Sequence, residues 1–475
     1  MQASVSPSPT ILVPHLPPKT LVGIDLITFT STPNFHGIRD LPAGWHFLYT
    51  GTTESLSLRS GAWFYVGDIN AAGTTVNEKN AITARRNDTG SEIYIWKWST
   101  DNETLVPLLS NSDADKREAM RYKANLAAVW QRGSLFRYRS RVPPSSISQQ
   151  HYKSGVQASV PDEVDEENEE EGRRDWQGLT DRISPKLLSR IIGAHEVDVD
   201  ERPRWTVTSA STARRDDDDI PGIEKLPEES GNSAEGGEGV AVEQESELSF
   251  LPIDLKRTWR EGAIGRERTE AAQDRSWALG DLIHQAAGTT GGKTEVDERL
   301  GQEQVLGELQ FTFLMILTLM NYSCLQQWKR LLGLILTCRS AIKDHERFMS
   351  DVLRLLLLQL KRCDDVEGGL FDLDGEEGGD FLRKLLVKFR KSLYDVVDGG
   401  PSPVKDEFER LEQWVKEEYD WELDRGVVVR HGMLQLEDGE EVEMDTNEGD
   451  EDQEMGEYAP VIVDLGDGDT EASKY

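Results

Sequence analysis

Between Thr20 and about Leu109 the apolar residues come in short runs separated by turn formers, a strand pattern. The runs Leu21-Val22, Trp45 to Tyr49, Ala62 to Val66 and Ile93 to Trp98 are rich in aromatic and β-branched residues. In the last, Tyr94, Trp96 and Trp98 alternate with Ile93, Ile95 and Lys97. A period of two sets the three rings on one face, expected to be buried. Around Asp113 the period becomes 3.6. Ser112 or Asp113 is a suitable N-cap, and Met120, Ala124, Ala127 and Ala128 share the helix face expected to meet the sheet. Residues 141–174 read as a disordered insertion, because the eight carboxylates between Asp162 and Glu171 repel one another too strongly to pack. Order is expected to resume at Trp176, with a helix from Pro185 to Ile192 and a strand from Trp205 to Thr208 that returns to the sheet.

These segments make an N-terminal β-rich domain over 18–208, sandwich-like or barrel-like, with packed helices. A Ser-, Gly- and Glu-rich stretch follows at 209–245, including Asp216 to Asp219, the composition of a flexible linker. Residues 246–430 then read as an all-helical domain. Its helices are expected at Gly265 to Ala287, Val305 to Met320, Ser323 to Leu336, His345 to Arg362, Asp380 to Val397 and Val404 to Leu423. In the fourth, Phe348, Val352, Leu355 and Leu356 form one stripe while Asp351, Arg354 and Lys361 face elsewhere. The fold class is therefore α+β. Residues 431–475 form an acidic tail with twelve carboxylates from Glu437 to Glu457, read as unstructured. It carries the compact run Tyr458-Ala459-Pro460-Val461-Ile462-Val463. Its composition fits two accounts, a disordered end or a strand acquired on a partner.

Composition sharpens this division. Only 37% of the 475 residues are apolar, so the packed cores are smaller than the length suggests. A net charge of -34 repels phosphate backbones and anionic membranes, which favours a basic protein partner over direct nucleic-acid or membrane binding. Three cysteines, Cys324, Cys338 and Cys363, have no paired spacing and read as reduced core thiols. The N-terminal residues lack the basic and apolar regions of a secretory signal, so the expected location is inside the cell. The uncharged run Leu309 to Trp328 is interrupted by Gln310, Asn321, Ser323, Gln326 and Gln327, and reads as a buried helical hairpin rather than a membrane span.

Candidate chemistry is sparse. Ala287-Gly-Thr-Thr-Gly-Gly-Lys293-Thr294 meets a relaxed phosphate-loop pattern, which makes a nucleotide hydrolase using Lys293 and Thr294 one alternative function. A working loop needs a strand before it, and Trp277 to Ala287 reads as helix. No histidine pattern suits a metal, no catalytic constellation is found, and no cofactor is expected. Tyr94, Trp96 and Trp98 could stack nucleobases but read as core, and Arg383, Lys384, Lys388, Arg390 and Lys391 read as the wet side of an amphipathic helix.

The spacing Gly23-Ile24-Asp25, Phe29, Phe35, Gly37-Ile38, Pro42, Gly44 and His46-Phe47 resembles the opening signature of the Aar-two, or cistron-splicing factor, family of U5 snRNP assembly factors. Further agreement lies at Trp176, Leu179-Thr180, Phe250 to Trp259, Glu308 to Phe313 and Trp328 to Leu332. The resemblance implies a β-rich N-terminal domain and a VHS-like helical stack. It also implies a non-enzymatic role, monomeric in isolation, in pre-mRNA splicing. The implied partner is the central scaffold protein of the U5 snRNP, bound through RNase-H-like and Jab/MPN-like domains so that helicase and RNA do not dock early. Tyr458 to Val463 sits where the family tail would add a strand, with Pro460 at a position that donates no hydrogen bond. Two hypotheses follow. The carboxylates from Glu437 to Glu457 compete with RNA for basic scaffold surface, and phosphorylation at Ser209, Ser211 or Thr212 triggers release. A third reading, a generic helical adaptor, rests on the VHS-like stack alone.

Overall fold

The computed structural model describes residues 8–52, 58–69, 92–140, 163–213, 247–288, 297–363, 378–397, 400–423, 430–435 and 441–446. The chain begins with strands β1 (Thr10–Leu12), β2 (Leu21–Ile24), β3 (Ile27–Thr30), β4 (Gly37–Arg39), β5 (Gly44–Gly51), β6 (Arg59–Val66), β7 (Ile93–Ser99) and β8 (Thr104–Pro107). Helix α1 (Asp113–Gln131), strand β9 (Leu135–Arg137), helices α2 (Glu163–Thr180) and α3 (Pro185–Ile191), and strands β10 (Glu196–Val197) and β11 (Pro203–Thr208) follow. They build two sheets. The first has the order β8-β7-β1-β4-β9, with β1 antiparallel to β4 and parallel to β7. The second, β10-β11-β6-β5-β2-β3, is antiparallel throughout.

Alternation along the strands sorts side chains into successive cores. Ile93 and Ile95 of β7 meet α1 on the outer face of the first sheet. Tyr94 and Trp96 point the other way, where with Ile11, Val22, Leu48 and Phe64 they fill the space between the sheets. The aromatic face is buried as expected, and so is the face behind it. On β5 and β6 the residues that turn away from the sandwich, Trp45, Phe47, Tyr49 and Trp63, pack against helices. The α+β architecture is therefore layered: helix, sheet, sheet, helices.

The C-terminal part comprises α4 (Arg266–Gln273), α5 (Ser276–Ala287), α6 (Glu298–Leu319), α7 (Tyr322–Ile335), α8 (Ala341–Asp344), α9 (Glu346–Lys361), α10 (Gly378–Val397) and α11 (Pro403–Tyr419), with strands β12 (Arg430–Gln435) and β13 (Glu441–Thr446) beyond. Helix α6 is buried on every side from Gln304 to Leu319, which is why its sequence lacks a polar face. Met320 turns the chain in the left-handed region and Asn321 caps α7, so the uncharged run is indeed a buried hairpin. No helix among the described residues is long and apolar enough to cross a membrane.

Several elements differ from expectation. Met120, Ala124 and Ala127 lie exposed, whereas Ala119 and Leu126 are buried, with Tyr122, Val129 and Trp130 packed beside them. Leu126 with Tyr122, Val129 and Trp130 sets the rotation of α1, which turns Met120 outward. The acidic run is not a disordered insertion throughout, because α2 begins at Glu163. Its last turns are anchored by buried Trp176 and Leu179. One expected helix, Gly265 to Ala287, is split at Asp274, whose carboxylate accepts backbone bonds from Ser276, Arg339 and Ser340 and so caps two helix starts at once. The beginning of the linker is also ordered. Asn321 donates to the carbonyls of Thr208, Ser209 and Ser211, and Ala213 N–H donates to Ser323 Oγ. Ser211 is buried, so a phosphate there requires this segment to open. Finally, the tail is not strand-free before Tyr458. β12 and β13 pair antiparallel, with Arg430 opposite Thr446, and the sequence between them holds an Asp438-Gly439 pair, a hairpin signal.

Candidate partner-binding platform

The signature residues converge on one internal brace. Asp25 follows β2 in a left-handed turn (φ 56°), a conformation that Asp tolerates, and its carboxylate faces inward. Oδ1 accepts from Phe47 N–H at 3.0 Å, and Oδ2 accepts from His46 Nδ1–H at 2.9 Å and from the Tyr138 hydroxyl. His46 Nε2–H donates to the Pro42 carbonyl at 2.9 Å. With an acceptor against each ring nitrogen, His46 is an imidazolium. Burial opposes that charge, but the Asp25 carboxylate, by charge and hydrogen bond, and the Pro42 carbonyl outweigh it and hold the His46 pKa above 6.5. Burial and the same carboxylate push the Tyr138 hydroxyl well up.

Two glycines answer close approaches. A Cβ on Gly23 would sit 2.0 Å from Cζ of Tyr49, and one on Gly37 would sit 2.1 Å from the Ile11 carbonyl oxygen at a φ of +153°. Gly44 has a φ of +132°. Ile24 and Phe35 lie in the core between the sheets, Phe35 edge-on to Phe29 and Phe136. The signature thus builds the sandwich and presents no reactive group to solvent. Sequence reasoning missed Tyr138, which closes the brace from just beyond β9, 113 residues after Asp25. No local spacing marks it.

A second buried network joins the sheets to the helices. Glu308, fully buried in α6, accepts from Arg190 at 2.6 Å, from Gln327 at 2.7 Å and from Leu251 N–H at 3.0 Å. Leu251 lies in the segment that re-enters after the linker, so one carboxylate ties α3, α6, α7 and that segment together. Around it, Trp176 N–H donates to the Trp45 carbonyl at 2.7 Å, its ring stacks on Trp63, and Arg59 donates to the Thr318 carbonyl at 2.9 Å. Asp175 is ion-paired with Arg362. The segments around Trp176, Phe250 and Glu308 therefore meet at one interface. The two halves share a single hydrophobic core.

Of the remaining candidates, Tyr94, Trp96 and Trp98 are buried and offer no stacking surface to a base. Helix α5, not a strand, runs into Gly288, which removes the structural context of a phosphate loop; Lys293 and Thr294 lie outside the described residues. No group of three metal-ligating side chains occurs among the described residues. Asp274 lines an open cleft of about 450 Å³ with Glu270, Trp277 and His345, but its oxygens are taken by the caps described above. Arg383, Lys384, Lys388 and Lys391 are exposed on α10, while Arg390 is half-buried and pairs with Glu412 at 2.7 Å. The tail residues Tyr458, Ala459, Pro460, Val461, Ile462 and Val463 lie outside the described residues.

Comparison with known proteins matches both halves. Residues 7–193 match the model of the AAR2 N-terminal domain, and residues 250–424 match that of the AAR2 C-terminal repeat region. Proteins named AAR2 homolog from Homo sapiens, Pongo abelii and Macaca fascicularis are each 22% identical over 351 residues, covering 74% of this chain and 75% of theirs. Strands β1 to β9, helices α1 to α11 and the buried network around Glu308 fall within the matched regions, and the chain belongs to the AAR2 family.

Proposed function

We propose that this chain is a splicing factor that assists assembly of the U5 snRNP, acting by holding a protein partner rather than by catalysis. Family membership across both halves is the observation that carries this reading. In the finer form of the proposal, the partner is the central scaffold protein of the particle, gripped at its RNase-H-like and Jab/MPN-like domains by the fused platform. Tyr458 to Val463 adds a strand to a scaffold sheet edge, where backbone hydrogen bonds give affinity and alternate side chains give register. Ordering such a segment costs about 1–2 kcal/mol per residue, so the grip is reversible. That suits a placeholder that keeps helicase and RNA away and then leaves, working in both cytoplasm and nucleus and monomeric when free.

The test is a pull-down of the scaffold from cell extract with the intact chain and with a variant lacking Tyr458 to Leu465. Loss of scaffold from the deleted variant is expected. Equal recovery by both proteins overturns the role of the tail strand, and no recovery by the intact chain overturns the assembly role.

A further inference from the structure

Helix α10 carries a stripe of like charge that the fold leaves unanswered. Lys384, Lys388 and Lys391 stand on the side opposite buried Leu382, Leu386, Phe389 and Leu393, with Arg383 at its margin. All four cations are exposed, and among the described residues none is paired with a carboxylate. Nearby charges are already matched: Arg390 with Glu412, and Asp395 with Arg339. In a chain of net charge -34, such a face is an exception.

The chain also supplies a complement of opposite sign. Between Glu448 and Glu457 there are six carboxylates, and no Lys or Arg occurs from His431 to Ser473. The last described helix before this run packs beside α10. Arg390 pairs with Glu412, and Lys405 lies over the Tyr394 ring at 5.5 Å, so α10 and α11 are antiparallel neighbours. The C-terminal end of α11, from which the tail departs, therefore lies beside the N-terminal half of α10, where Arg383 and Lys384 stand. Tethering at this distance gives a high effective concentration, so weak individual ion pairs suffice for a populated contact.

We propose that in the free protein the acidic run Glu448 to Glu457 docks on the basic face of α10 formed by Arg383, Lys384, Lys388 and Lys391. The contact parks the tail against the body, and a partner with a denser basic surface displaces it. It concerns the protein without a partner, so its test stands apart from that of the proposed function.

A nitroxide on Gly449→Cys in the full-length chain reads the contact, because the three natural cysteines are buried and do not compete for the label. At 0.1 M salt the spectrum of the otherwise wild-type protein is expected to show a slowed component. That component should disappear at 1 M, where the screening length falls from about 10 Å to about 3 Å. It should also be lost at 0.1 M when Arg383, Lys384, Lys388 and Lys391 are all changed to Glu. The milder Lys384→Gln, Lys388→Gln, Lys391→Gln variant keeps good helix formers at these sites and should reduce the component in part, which guards against loss of fold. Identical spectra for wild type and both variants at low salt overturn the proposal. It is overturned equally if a label on Gly369→Cys, in the acidic segment before α10, is released by charge reversal while the label at 449 is unaffected.

Discussion

Replacing Asp25 by Asn should reverse the direction in which stability depends on pH. In the wild type His46 is charged and paired with Asp25, with a folded pKa raised above its ordinary 6.5. The stabilisation from this proton is full below 6.5 and is lost as pH rises through the folded value, at about 1.4 kcal/mol for each unit of separation. In Asp25→Asn, Oδ1 still accepts from Phe47 N–H, but an amide NH₂ now faces Nδ1. The ring can accept from it only when neutral. Protonation sets donor against donor, so the folded pKa of His46 falls below 6.5 and stability is lost as pH falls. Exchange of a charge-assisted bond for a neutral one costs about 1.5–3 kcal/mol near pH 6. Urea titrations followed by tryptophan fluorescence between about pH 5.5 and about pH 8 give the slopes, and the ¹³Cε1 resonance of His46 gives its titration directly. A wild-type midpoint at or below 6.5, or an Asp25→Asn protein whose stability still falls with rising pH, would refute an imidazolium brace.

Glu308→Ala should destabilise the protein by about 3–5 kcal/mol, because Arg190 is left beside a buried site without its counter-charge; a lowered urea midpoint and faster proteolysis between residues 209 and 250 check this. Trp176→Ala removes both the stack on Trp63 and the bond to the Trp45 carbonyl, and a loss of about 3–5 kcal/mol is expected in the same assay. On α1, Leu126→Ala should cost about 2–5 kcal/mol, whereas exposed Met120→Ala should stay within about 0.5 kcal/mol, and similar losses for the two would contradict the orientation of this helix.

What the sequence determined by itself are the features that depend on near neighbours. The period of two in Tyr94, Trp96 and Trp98 marks a strand, the uncharged run around α6 and α7 marks a buried hairpin, and the helix preceding Gly288 already argued against a phosphate loop. The spacing from Gly23 to Phe47 pointed to the family that the comparisons establish. Tertiary structure alone decided which face of α1 is buried, that the acidic segment from Glu163 continues into a helix pinned at Trp176, and that residues 209–213 are held by Asn321. It also decided that Asp25 finds Tyr138 and that Glu308 gathers Arg190, Gln327 and Leu251. The physical reason is one of range. Periodicity and capping act over a few residues and leave a trace in the local pattern, whereas the partners of a buried charge are chosen by packing between segments as far as 118 residues apart, beyond the reach of any local pattern.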